Sequence, residues 1–165
     1  NQHELFNGTA PDEFSPDDAM TRAMLVTVLY RLEGQPAVNG RSGFSDVQYN
    51  GYYEDAVTWA ADNGIVNGTS TTTFSPNANV TREQMAAILY RYAQYKKYNT
   101  AASSSLTGFN DYATVSSYAV TSLQWSVAEK LVNGSAGNLM PTGNATRAQV
   151  AAILHRFVEN VATTK

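Results

Sequence analysis

The 165-residue chain contains no cysteine, which excludes disulfide staples and thiolate metal sites. The absence fits a reducing compartment, and equally a secreted protein that never relied on disulfides. Histidine is scarce. His3 and His155 stand far apart and form no ligand pair or catalytic spacing. Charged residues make up 15% of the chain and sum to −3 at pH 7, so there is no general attraction to nucleic acid or to an anionic membrane. No apolar run approaches the ~20 residues of a membrane span. No charged-plus-apolar leader opens the chain at Asn1, so a signal sequence is expected upstream or already removed. Apolar residues are plentiful at 43%, with 11% aromatic, which is enough for a packed core and argues against bulk disorder.

The chain also repeats itself, which decides how everything else is read. Thr-Arg occurs at Thr21-Arg22, Thr81-Arg82 and Thr146-Arg147, at intervals of 60 and 65 residues. Leu25, Val28, Leu29 and Leu32 follow the first pair. Met85, Ile88, Leu89 and Tyr92 follow the second, and Val150, Ile153, Leu154 and Phe157 the third. Apolar residues at i, i+3, i+4 and i+7 predict an amphipathic helix in each copy. The threonines stand where an N-cap belongs, and Gln84 and Gln149 complete capping boxes. A second arginine recurs nine residues after the first, at Arg31, Arg91 and Arg156. At ~100° per residue it lies half a turn out of phase, so the two arginines of a copy face opposite ways. The second set is expected to be solvated or to form salt bridges between repeats.

A turn region precedes each pair. Asn7-Gly8, Asn67-Gly68 and Asn133-Gly134 are strong turn signals. They are followed by Phe14-Ser15-Pro16, Phe74-Ser75-Pro76 and the divergent Leu139-Met140-Pro141. Two copies carry a further helix upstream. One runs from Glu54 to Asn63 and stops at Gly64, a left-handed C-cap. The other runs from Ser117 to Glu129, with Lys130 in the glycine's place. Trp59 and Trp125 occupy equivalent positions on these helices, and Phe44-Ser45-Asp46 and Phe109-Asn110-Asp111 open the two units. The expected organisation is a partial repeat at 1–35 holding only the second half, complete repeats at 42–98 and 107–162, and all three in one domain. The fold class is all-α, mostly helical, as tandem helix–loop–helix repeats with short extended segments in the loops. The Asn-x-Ser/Thr sequons, five in all, fall on the repeated turns or on an N-cap threonine, so local structure accounts for them without glycosylation.

The order Phe-x-Asp, a helix with Trp-Ala, Gly64-Ile65-Val66-Asn67-Gly68, Phe74-Ser75-Pro76-Asn77 and Thr81-Arg82-Glu83-Gln84-Met85-Ala86 resembles the S-layer-homology repeat. The likeness covers nearly all of the chain except linkers and tail. It implies a pseudo-threefold bundle that binds pyruvylated secondary cell-wall polysaccharide, non-covalently, in grooves between repeats, outside the cell at the wall or surface layer. By the same resemblance the ligand-binding residues are Arg22, Arg82 and Arg147; Asp46 and Asp111; Trp59 and Trp125; and Gly8, Gly68 and Gly134. No cofactor or metal is implied, and the module serves an upstream cargo domain. The sequence departs from the family where an acidic residue usually follows Thr-Arg-Ala: here the position holds Met24, Gln84 or Gln149.

The residues can also be read on their own terms. Arginine at the first helical position has the wrong sign for the helix dipole, and three such placements suggest a compensating anion. A helix N-terminus offers unpaired amides, and a guanidinium adds a planar fork matched to a carboxylate. The tryptophans are either a platform for a sugar ring or core. The aspartates either accept from sugar hydroxyls or close a turn. The glycines either admit a ligand to the backbone or only shape the turn, and the arginines either meet a ligand or clamp a neighbouring repeat's carboxylate. An enzyme is disfavoured. Asp46, Glu54 and Asp55 lie close in sequence, but the third copy has no acid matching Glu54-Asp55, and no nucleophile elbow or phosphate loop is present. The remaining rival is a protein–protein module within a surface layer, suggested by ten tyrosines.

Overall fold

The computed structural model describes residues 18–38, 40, 43–47, 53–134 and 136–162. Among the described residues five α-helices form: α1 (Arg22–Leu32), α2 (Glu54–Asp62), α3 (Arg82–Tyr95), α4 (Val120–Ala128) and α5 (Arg147–Phe157). Two 3₁₀ turns, Tyr112–Thr114 and Ser117–Ala119, lead into α4, and a π-helical turn, Val158–Ala162, follows α5. No strand forms among the described residues; three isolated bridges join Ala19 to Thr146, Thr21 to Asn79 and Thr81 to Asn144.

The Thr-Arg helices begin as their sequences require. Thr21, Thr81 and Thr146 are N-caps whose hydroxyls accept from the backbone amides of Met24, Gln84 and Gln149. Capping boxes close at Gln84 and Gln149 but not at Met24, which has no acceptor to return. Just before the caps the three copies meet. Met20 donates its N–H to the Ala145 carbonyl (2.9 Å), Ala145 to Val80 (2.9 Å) and Val80 to Met20 (2.8 Å). Three segments of one chain thus close a ring of hydrogen bonds, with all three side chains fully buried. This ring is the hub of a pseudo-threefold bundle.

Around the hub the copies interlock. Helix α1 packs along α2, and α3 along α4, so the first two Thr-Arg helices each lie against the first helix of the following copy. Trp59 is the wedge of one contact, with its ring against Tyr30 of α1 and against Tyr92 and Tyr95 of α3. Trp125 is the wedge of the other, between Tyr90 of α3 and Phe157 of α5. Burial of aromatic area at these crossings is the main contribution to stability there. The α1 C-terminus is tied down as well: the Glu33 carboxylate accepts from the Tyr92 hydroxyl (2.8 Å) and from Lys96 Nζ (3.1 Å).

Candidate functional site

The N-terminal amides of the Thr-Arg helices turn out not to be free. Arg22 N–H donates to the Ala78 carbonyl, Arg82 to Gly143 and Arg147 to Asp18, and the next amides, of Ala23 and Glu83, donate to Pro76 and Pro141. With the third amide taken by the cap threonine, the first three amides of α1 and of α3 all have protein acceptors. The loop of the following copy supplies the acceptors of the first two.

Two clefts form between successive copies, and they are built alike. One, of about 390 Å³, lies between Arg22 and the Asn67-Gly68 turn, with Arg91 of α3 across from it. The other, of about 210 Å³, lies between Arg82 and the Asn133-Gly134 turn, with Arg156 of α5 across from it. Among the described residues no aspartate or glutamate lines either cleft. Two of the second arginines, Arg91 and Arg156, therefore line these clefts rather than standing apart from the site, while Arg31 lines neither. The half-turn offset between Arg82 and Arg91 directs one into the cleft with the next copy and the other into the cleft with the previous one. Each cleft receives one arginine from each of two copies.

The guanidinium groups of Arg22, Arg82 and Arg156 donate to neutral acceptors. Arg22, almost fully buried, donates Nε to the Phe74 carbonyl (2.9 Å) and Nη2 to the Asn67 carbonyl (2.7 Å), and lies 4.7 Å from the Phe74 ring centroid. Burial pushes its pKa down, partly offset by Tyr118 and Asp46. Arg82 donates Nη2 to Gln149 Oε1 (3.0 Å), with a longer contact from Nη1 to the Met140 carbonyl (3.4 Å). Arg156 donates to the Leu131 carbonyl (3.1 Å). Arg91, half-buried, makes no hydrogen bond or ion pair among the described residues. Arg147 reaches the Met24 sulfur at 3.8 Å; the turn that faces it in sequence register, at Asn7-Gly8, lies outside the described residues, and Gly8 with it.

The other expected ligands have different positions. Trp59 and Trp125 retain only 3% and 1% of their surface, so neither offers a face to a sugar; the aromatic wedges need both faces of the ring. Their Nε1 atoms have no hydrogen-bond partner among the described residues. The aromatic residue that does stand at a cleft is Tyr118, 52% exposed beside Arg22 and Arg91. Its hydroxyl lies 3.5 Å from the buried Glu83 carboxylate, which also accepts from Ser116 N (2.9 Å) and Ser116 Oγ (2.6 Å). Tyr118 is the first-turn aromatic of the α4 unit, and nothing in its local spacing distinguishes it from a solvated residue.

Asp46 and Asp111 point away from the role of sugar acceptor. Asp46 accepts from the amides of Phe74 and Ser75, both at 2.8 Å, and Asp111 from those of Leu139 and Met140, both at 2.8 Å. Each carboxylate thus closes a turn 28 or more residues downstream. Desolvation opposes the charge of Asp46, but these amides and the nearby Arg22 bring its pKa below the ordinary value. For Asp111 the Leu139 amide is the largest cause of a similar lowering. Gly68 and Gly134 do border the clefts. The close approach they permit is to the protein's own rings: a Cβ on Gly68 would meet Phe44 Cε1 at 2.5 Å, and one on Gly134 would meet Phe109 Cε1 at 2.7 Å. Gly134 also has φ +77°, a left-handed conformation.

Comparison with known proteins fits this architecture. The family model "S-layer homology domain" matches residues 1–23, 43–86 and 108–151. The chain is 32% identical over 163 residues to an endoglucanase of Bacillus sp. (strain KSM-635), covering 98% of this chain and 17% of that protein. It is 32% identical over 167 residues to the surface-layer 125 kDa protein of Lysinibacillus sphaericus, covering 97% and 13%. It is also 32% identical over 160 residues to an amylopullulanase of Thermoanaerobacterium thermosulfurigenes, covering 94% and 8%. The chain thus spans less than a fifth of the length of these relatives. Among the described residues no helix is long and apolar enough to cross a membrane. With three matched repeats and a bundle closed by the Thr-Arg segments, the chain belongs to the S-layer homology family, whose members are non-catalytic cell-wall anchoring modules of surface proteins.

Proposed function

We propose that the two arginine clefts bind an anionic secondary cell-wall polysaccharide, with the carboxylate of a pyruvate ketal as the charged group. One observation carries this reading: in each cleft two arginines from successive copies line the same space, and among the described residues no carboxylate lines it. A guanidinium fork suits a carboxylate, and Tyr118 gives the Arg22–Arg91 cleft a surface on which a sugar ring can lie. Binding needs no activated nucleophile, so the module acts by attachment. Occupying both clefts on one chain raises the effective affinity without new contacts. The upstream cargo in this reading is a larger surface protein.

The test is a titration with purified wall glycan, intact and with its ketals removed, against the wild-type chain and the Arg82→Ala/Arg91→Ala double variant. Removing one charged fork from each cleft is expected to weaken binding of the intact glycan by roughly 10–100-fold, the size of a lost charge-assisted hydrogen bond. Wild-type affinity in the double variant overturns the assignment. A second reading, a protein–protein module in a surface layer, draws on the exposed Tyr112 and Tyr118. It predicts retention on wall sacculi after the polysaccharide has been stripped.

A further inference from the structure

We infer that Gln149, at the third position of α5, makes the Arg82–Arg156 cleft demand a ligand that brings its own negative charge. This rests on the clefts being anion sites, and specifies which residue sets the charge requirement. Gln149 Oε1 accepts from the Thr146 amide (3.0 Å) and from Arg82 Nη2 (3.0 Å), while its own amide donates to Thr146 Oγ1 (3.1 Å). One oxygen therefore serves two purposes, closing the helix cap of one copy and orienting the guanidinium of the copy before it.

A glutamate of the same length makes all three hydrogen bonds. It closes the same capping box, and its charge is the favourable sign for a helix N-terminus. Folding alone gives no reason to prefer the amide. The difference lies in the cleft: a carboxylate 3.0 Å from Arg82 is an internal counter-ion, whereas the carboxamide orients the guanidinium and leaves its charge uncompensated. Gln84 lines the Arg22–Arg91 cleft at the matching position, and Met24 faces Arg147 through sulfur. None of the three copies places an acid there. The result is a pair of clefts each lined by two arginines and, among the described residues, by no carboxylate, on a chain whose overall charge is −3.

The test compares the full chain with its Gln84→Glu/Gln149→Glu variant. Calorimetric titration uses ketal-bearing wall glycan and the same glycan with ketals removed, alongside thermal melting of both proteins. The variant is expected to melt at or above the wild-type temperature and to bind the ketal-bearing glycan roughly 3–10-fold more weakly, the effect of one partly screened internal charge per cleft. Its affinity for the ketal-free glycan is expected to be unchanged, and its binding to depend less on salt. Equal affinity of variant and wild type for the ketal-bearing glycan overturns the inference. So does an equal loss towards both glycans, or a lowered melting temperature, since either marks Gln149 as merely structural. A wild-type chain that shows no preference for the ketal-bearing glycan overturns the functional reading itself, and is seen without any variant.

Discussion

Asp111 holds two consecutive amides with its two oxygens and is only partly covered by the protein. Replacing it with alanine leaves Leu139 N–H and Met140 N–H to partial hydration, so the expected loss at pH 7 is about 1.5 kcal/mol, the lower end of the range for hydrogen bonds to a charged group. The amides lower its pKa in the folded state, and Asp46 behaves likewise. The folded chain therefore binds these protons less tightly than the unfolded one. The stability they contribute is complete above the unfolded value near ~3.9 and is lost as pH falls through the folded value. Urea unfolding of wild type and Asp111→Ala at pH 7 and at pH 3 should show the gap narrowing in acid; a gap constant with pH contradicts the clamp. Lys130 offers the opposite change. It takes φ +62° where the preceding copy has Gly64 at φ +73°, a conformation that costs a side chain roughly 1–2 kcal/mol. Part of that gain is offset by glycine's greater freedom when unfolded, so Lys130→Gly is expected to stabilise by about 0.5–1 kcal/mol. A lower melting temperature for this variant counts against it.

Helices α3 and α5 are joined through Trp125, whose ring meets Tyr90 on one and Phe157 on the other. Trp125→Ala is expected to cost about 3–5 kcal/mol, as for other large aromatic truncations in cores. Thermal melting checks this, and a loss below ~1 kcal/mol returns the indole to the surface. The Thr-Arg helices were legible because their apolar residues recur at helical spacing and a threonine precedes each. The tryptophans were not: on a helix of alanines a large ring reads equally as wedge or platform, and only the neighbouring helices Tyr30, Tyr90 and Phe157 come from decide between them. The phase of Arg91 and Arg156 was readable from the nine-residue offset, but which cleft each enters depends on the interlock of α1 with α2 and α3 with α4. The free amides expected at the helix starts were wrong for a similar reason. Their partners, Ala78 and Gly143, lie 56 and 61 residues away, beyond anything local spacing records. Tyr118 was missed because its place beside Arg22 is set by a segment 96 residues away.

Tandem repeats commonly stack in a line, each touching only its neighbours, and such arrays can unfold piecemeal. Here the three copies close on themselves. The Met20–Ala145–Val80 ring needs all three at once, and helices α1 and α3 are each packed against the following copy's first helix. Removing any copy exposes apolar surface on another and breaks two bonds of the ring. The energetics of a single domain follow, with no copy stable by itself, and the chain is expected to unfold in one transition. The two tryptophans give each region its own reporter, since Trp59 and Trp125 lie in different copies. In Trp59→Phe and Trp125→Phe variants the remaining indole reports one copy, while far-UV circular dichroism reports all the helices. Both variants are expected to be less stable than wild type. Within each, the fluorescence and dichroism midpoints should coincide to within about 1 °C, the coincidence of probes that marks a two-state transition. A fluorescence midpoint several degrees away from the dichroism midpoint would mean that the copies melt separately and that the ring does not couple them. Because each cleft takes its arginines from two copies, this coupling also bears on binding: a bundle that opens at one interface loses a cleft with it.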